Sequence, residues 1–241
     1  MPAYCNDYGQ PIGAPLPHWR APPRPPRAPL AGQWCVLEPL VPARHAEALF
    51  AANARASDDR AWTYLPYGPF AARADYRAWM EAFCVGDDPL FFAIVAAAEK
   101  VPLGLASYLR IAPAAGSIEV GHLNFSPLLQ RTPAATEAMY LMMRQVFALG
   151  YRRFEWKCDA LNAPSRRAAQ RLGLSFEGVF RQATVYKERN RDTAWYAATD
   201  ADWPALAAAF ERWLAVANFD PDGNQRESLS ALTAPLLVCR G

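Results

Sequence analysis

The stretch "SPLLQRTPAATEA", residues 126–138, decides how the chain is read. A strand-like run ends at Ser126-Pro127 and a helical pattern begins at Pro133, with Gln130 and Arg131 but no glycine in the turn between. Where a strand feeds a helix, the first N–H groups of the helix lack internal partners and point out of its end. The macrodipole adds roughly half a positive charge there. Such a start is either an anion cradle or an ordinary capped helix. For the first reading, Gln130, Arg131, Thr132, Ala134 and Ala135 supply backbone donors, Arg131 adds a cation, and the two alanines permit close approach.

Working outward, Ala135, Ala138, Met139, Met142, Val146 and Leu149 fall on one face of a helix over 133–149, with Gly150 as its stop. "RRFEWKCD" (152–159) alternates as a strand does, a shorter helix runs over 164–172, and strands follow near 176–186 and 193–199. Upstream, 34–40 reads as a strand, 42–55 and 73–84 as helices, and 90–97, 102–111 and 117–126 as three strands in antiparallel succession. Trp203, Leu206, Phe210, Trp213, Leu214 and Ala217 mark a final amphipathic helix, and the tail from Phe219 reads as irregular, with few anchors. The fold class is α/β: a mixed, mainly antiparallel sheet flanked by helices, with an extra C-terminal helix. The organisation is an arm (1–31), a core domain (32–200) and a C-terminal helix with its tail (201–241). The arm holds nine of the 22 prolines, and its "PPRPPRAP" (22–29) favours an extended chain lying on its own domain or on a partner.

The bulk numbers exclude several classes. The 241 residues are 52% hydrophobic and 20% charged, enough for a substantial core, and the net charge of +2 argues against a dedicated nucleic-acid binder. No apolar run reaches the ~20 residues of a membrane helix, and the N terminus lacks a secretory pattern. Cys5, Cys35, Cys84, Cys158 and Cys239 are scattered, with His18, His45 and His122 the only histidines. That set implies free thiols, a cytoplasmic location and no metal site.

"DALNAPSRRAAQRLGLSFEG" (159–178), read with "SIEVGH", "AATEA" and "TAWYA", resembles the GNAT superfamily of N-acetyltransferases. The branch it is most similar to contains the ribosomal-protein alanine N-acetyltransferases. The resemblance covers roughly residues 33–200 and implies a GNAT-type sheet, acetyl-CoA as co-substrate and an amine acceptor. Its cofactor turn maps onto Leu128, Gln130, Arg131, Thr132, Ala134 and Ala135, with Pro133 where the family carries a glycine. That proline suits a first helical position but removes one N–H. Asn162, Ser165 and Arg166 are implied for the pantetheine chain, the departing thiolate and the phosphates. Asn162 and Ser165 serve equally as helix caps. The strand 117–126 offers Glu119 and His122 as candidate bases. Three residues apart on a regular strand, they are expected on opposite faces. "WTYLPYGPF" (62–70) offers Trp62, Tyr64 and Tyr67 as acceptor walls, and the polar turn "YKERNRD" (186–192) is expected to flank the same cleft. The expected activity is direct transfer of acetyl to a primary amine of a small molecule or a protein N terminus. A CoA-binding protein with weak or lost catalysis is the alternative. The sequence leaves a homodimer open, with the C-terminal helix either covering the sheet or forming the contact.

Overall fold

A computed structural model describes residues 4–241. The arm begins with a small hairpin, β1 (Tyr4–Cys5) and β2 (Pro11–Ile12). The main sheet has eight strands: β3 (Leu30–Ala31), β4 (Cys35–Pro39), β5 (Leu90–Ala96), β6 (Pro102–Ala112), β7 (Ser117–Phe125), β8 (Arg153–Asp159), β9 (Ser175–Tyr186) and β10 (Arg189–Thr199). Their order is β3-β4-β5-β6-β7-β8-β10-β9, and only β7 and β8 run parallel. That one parallel step follows from the crossover helix between them, α3 (Pro133–Ala148), since a helix returns the chain to the starting edge. The fold is the mixed, mainly antiparallel α/β sheet expected from the sequence.

Two cores hold the sheet. On one face, α1 (Pro42–Asn53) and α2 (Arg73–Phe83) bury Leu49, Tyr76 and Met80 against Phe91, Ala93 and Leu105. On the other, α3 packs Met139, Met142 and Val146 against Ile118, Val120, Phe154 and Trp156. Two further helices complete that side, α4 (Ala163–Arg171) and α5 (Trp203–Leu214). Leu206, Phe210 and Trp213 of α5 join the same core, and Tyr140 of α3 donates its hydroxyl to Glu211 at 2.9 Å. The extra C-terminal helix therefore covers α3.

Three local features differ from the sequence reading. The tail is anchored: α6 (Leu229–Thr233) buries Leu229, Phe219 packs on Trp34 and Trp213, and Gln225 accepts from the Trp213 indole at 2.7 Å. The segment 189–192 is already strand, because the hairpin turns tightly at Lys187 and Glu188, both at positive φ. The sheet also starts at Leu30, two residues before the expected domain start. The arm lies on its own domain. The Arg152 guanidinium stacks over the Trp19 ring, whose edge fills the space beside Gly116. Arg27 donates to Gly86 O at 2.6 Å and pairs with Asp87 at 3.0 Å.

Candidate active site

Pairing of β7 with β8 stops at Val120↔Trp156, although β7 runs on to Phe125 and β8 to Asp159. The strands part there into a wedge, leaving the β8-facing backbone edge of β7 without a strand partner. A bulge in β7 lies at the parting point. Ser107 opposes Gly121 and Leu105 opposes Asn124, so three steps of β7 match two of β6, with His122 at φ 51. A bulge bends its strand and raises its twist. It also changes side-chain parity, which corrects the expectation for Glu119 and His122. Ile118 and Val120 face the α3 core, so Glu119 faces away from it. His122, past the extra residue, packs on Phe83 and Phe91 of the α1–α2 side. Both candidate bases face the same side.

Their surroundings differ. Glu119 is 3% exposed and fully engaged: Arg110 Nη1 reaches both carboxylate oxygens at 2.8 Å, and Lys157 Nζ lies 2.9 Å away. Lys157 also pairs with Glu155 at 2.8 Å and stands 3.7 Å from the centroid of the Trp195 ring. Every charge in this row has an opposite neighbour, so Glu119 holds the sheet face together in this state. His122 sits in an aromatic box with Tyr67, Phe83 and Phe91, its Nδ1 3.2 Å from the Tyr67 hydroxyl. Burial, aided by the charges of Arg110 and Arg191, lowers its pKa to about 4, so the ring is neutral at physiological pH. Burial also raises Tyr67 well above the usual phenol range.

This has a consequence for stability. Burial lowers His45 as well, against the opposing pull of Glu38. With both folded pKa values below the unfolded value near 6.5, the unfolded chain binds more protons throughout the interval. The stability these two rings contribute is therefore fully present above about pH 6.5 and is lost as pH falls toward 4. A series of melting temperatures from pH 7.5 to 4.5 checks this: a steady fall is expected, and a flat series refutes it.

At the start of α3, Thr132 is the N-cap, its Oγ1 accepting from Ala135 N at 3.2 Å, and Arg131 precedes it at φ 62. The N–H groups of Gln130 and Thr132 donate to Ser126 O and Leu129 O. With Pro133 lacking a donor, Arg131 and Ala134 carry the N–H groups left open in this turn. Leu128 is exposed beside it. Across the wedge, Asn162 caps α4, its Oδ1 accepting from Ser165 N at 3.1 Å, and the Trp156 indole donates to Ser165 Oγ at 3.0 Å. Ser165 is thus fixed beside the parting strands by the Trp156 indole, with the Cys158 thiol as a neighbour. Arg166 turns inward to the Tyr196 hydroxyl (3.1 Å) and Ala160 O (3.2 Å), away from the α3 end. Trp62 is buried in the α1–α2 core. Its loop reaches over the wedge, Tyr64 donating to Leu161 O at 3.2 Å and Lys187 to Trp62 O at 2.8 Å. Sequence reasoning missed the second of these bonds, which links residues 125 positions apart.

A helix start, a bulged strand and a second capped helix thus meet at one wedge between two parallel strands. The family model for the acetyltransferase (GNAT) domain matches residues 35–175. This chain belongs to the GNAT acetyltransferase family. It is similar to a GCN5-related N-acetyltransferase from Brucella melitensis at 45% identity, over 91% of this chain and 100% of that one, with a TM-score of 0.89. A crystal structure described as a probable GNAT-family acetyltransferase from Chromobacterium violaceum is 42% identical over 81% of this chain and 98% of that one, with a TM-score of 0.76. A ribosomal L7/L12 alpha-N-protein acetyltransferase in complex with coenzyme A shares the fold at 18% identity, over 72% and 99% of the two chains, with a TM-score of 0.55. No curated protein matches the chain. Among the described residues, no helix is long and apolar enough to cross a membrane, and no acidic, His or Cys cluster suits a metal. GNAT membership makes the chain an acyltransferase.

Proposed function

We propose that the chain moves acetyl from acetyl-CoA to a primary amine by direct attack in a ternary complex. The parting of β7 and β8 above the α3 start carries this reading. The pantetheine arm would pair with the open backbone edge of β7, and the pyrophosphate would meet the free N–H groups of Arg131 and Ala134 with the Arg131 cation. An N–H at the bulge would polarise the thioester carbonyl. His122 accepts the proton that the attacking amine sheds. This role requires the tautomer in which Nδ1–H donates to the Tyr67 oxygen, leaving the Nε2 lone pair free. Ser165 protonates the departing thiolate.

A CoA-binding protein with weak catalysis is the second reading, favoured by the scarcity of open donors at the α3 start. Calorimetric titration of acetyl-CoA into the wild type and into Pro133→Gly, with ADP as control, tests the shared premise. Saturable micromolar binding is expected, with ADP much weaker. Restoring one N–H should tighten binding roughly ten- to a hundredfold, the range of a hydrogen bond to a charged group. No binding in either protein would refute both readings.

A further inference from the structure

Asn124 is 2% exposed, yet neither polar atom of its side chain has a hydrogen-bond partner among the described residues. Native folds retain few such groups, and each one calls for an explanation, of which a bound water or ligand is one. Its cross-strand neighbour, Leu105, belongs to the α1–α2 core, so Asn124 faces the same side as His122, two positions earlier. At this height β8 no longer pairs with β7, so Asn124 stands on the strand that borders the wedge.

Arg191 is the second observation. It is half-buried on β10, with Nε donating to Thr193 Oγ1 at 3.2 Å and the guanidinium 5.7 Å from the centroid of the Tyr186 ring. Among the described residues no carboxylate comes within 4.0 Å of it, unlike Arg110, Arg153 and Lys157, which are all paired. Thr193 is the cross-strand neighbour of Asp159, the last residue of β8, which puts Arg191 beside the mouth of the wedge. Its charge is felt at His122 on one wall and at Cys158 and Tyr186 on the other.

We propose that the acceptor is a small α-amino acid, its carboxylate bound by Arg191 and its amine held by the Asn124 amide beside His122. This rests on the acetyl-transfer reading above. An amide oxygen and an unpaired guanidinium together match a zwitterion whose amine and carboxylate are one carbon apart. A linear diamine brings a second cation toward Arg191, and a protein N terminus lacks the carboxylate. In the reaction the amine nitrogen bonds to the acetyl carbon as the carbon–sulfur bond breaks. The ammonium first loses one proton to solvent; after attack the second passes to His122, which returns it to solvent, and the thiolate takes one from Ser165, which regains it from solvent.

The test uses the full chain, acetyl-CoA, a panel of free amino acids with their carboxamides, and a linear diamine, reading thiol release. Free amino acids should exceed their carboxamides in kcat/KM by roughly tenfold or more, the scale of a charge-assisted pair. Arg191→Met should erase that preference by raising KM, with kcat changed only a few-fold. Asn124→Leu should keep or raise the melting temperature while losing turnover of both forms; if it fails to fold, the Arg191→Met split decides. Carboxamides or the diamine matching the amino acids, or a preference that survives Arg191→Met, would overturn the proposal. Intact acetyl-CoA binding with no amino acid acetylated overturns the acceptor alone. Loss of acetyl-CoA binding in the wild type overturns the reading beneath it.

Discussion

Replacing His122 by Asn is expected to lower kcat for amine acetylation by about 10²–10⁴-fold, the usual range for a positioned general base. Acetyl-CoA binding should stay within a few-fold. Asn is the replacement of choice because the backbone there has φ 51, a conformation Asn tolerates better than most residues. The pH profile separates a base from a packing residue. With the ring already neutral at a pKa of about 4, kcat/KM should rise with pH along the ionisation of the acceptor amine. No inflection is expected between about pH 5.5 and 7.5. Asn at this position should lower the whole curve without moving it. An inflection near 6.5 that vanishes in the variant would mean that the box does not hold the imidazole neutral. Unchanged turnover would remove His122 from the chemistry.

Glu137→Ala should produce the largest loss of stability. The Glu137 carboxylate is 5% exposed and accepts backbone N–H bonds from Gln33, Trp34 and Cys35 at 2.8, 2.6 and 2.8 Å. These bonds tie the first turns of α3 to the entry of β4, so one side chain joins the crossover helix to the outer sheet. Its removal leaves three backbone donors without their charged acceptor, one buried at Cys35 and two at the less buried Gln33 and Trp34, at a cost of about 3–5 kcal/mol. For a chain of this size, where 1 kcal/mol shifts Tm by about 2–4 °C, that predicts a fall of about 6–20 °C. Gly32 belongs to the same device: a Cβ there would stand 2.3 Å from Glu137 Oε2. A Glu137→Ala variant that melts with the wild type would show that the loop at 32–35 finds other partners.

The succession of strands and helices was legible because each element carries its own period: alternation in β8, threes and fours in α3. The wedge was not. It depends on one extra residue in β7: Gly121 stands beside the bulge, but the residue that takes the left-handed conformation is His122. From a regular period of two, Glu119 and His122 fall on opposite faces, and only the pairing with β6 reveals the shift. Thr132 shows another limit. Its sequence position fits a phosphate donor, but its hydroxyl caps the helix and its N–H is already used. The ion row through Glu119 and Lys157 joins positions far apart in sequence, where no local pattern announces it. Arg191 was named only as part of a polar turn, since a cation counts as unpaired only after every neighbour is known.

The bridges from Tyr64 to Leu161 and from Lys187 to Trp62 are single hydrogen bonds across the mouth of the wedge. The first is a neutral bond worth about 0.5–1.5 kcal/mol, and the second, donated by an ammonium, about 1.5–3 kcal/mol. The two bonds therefore tie the loop at 62–64 to the turn after β8 and to the β9–β10 turn, so three segments distant in sequence are coupled at one edge of the sheet.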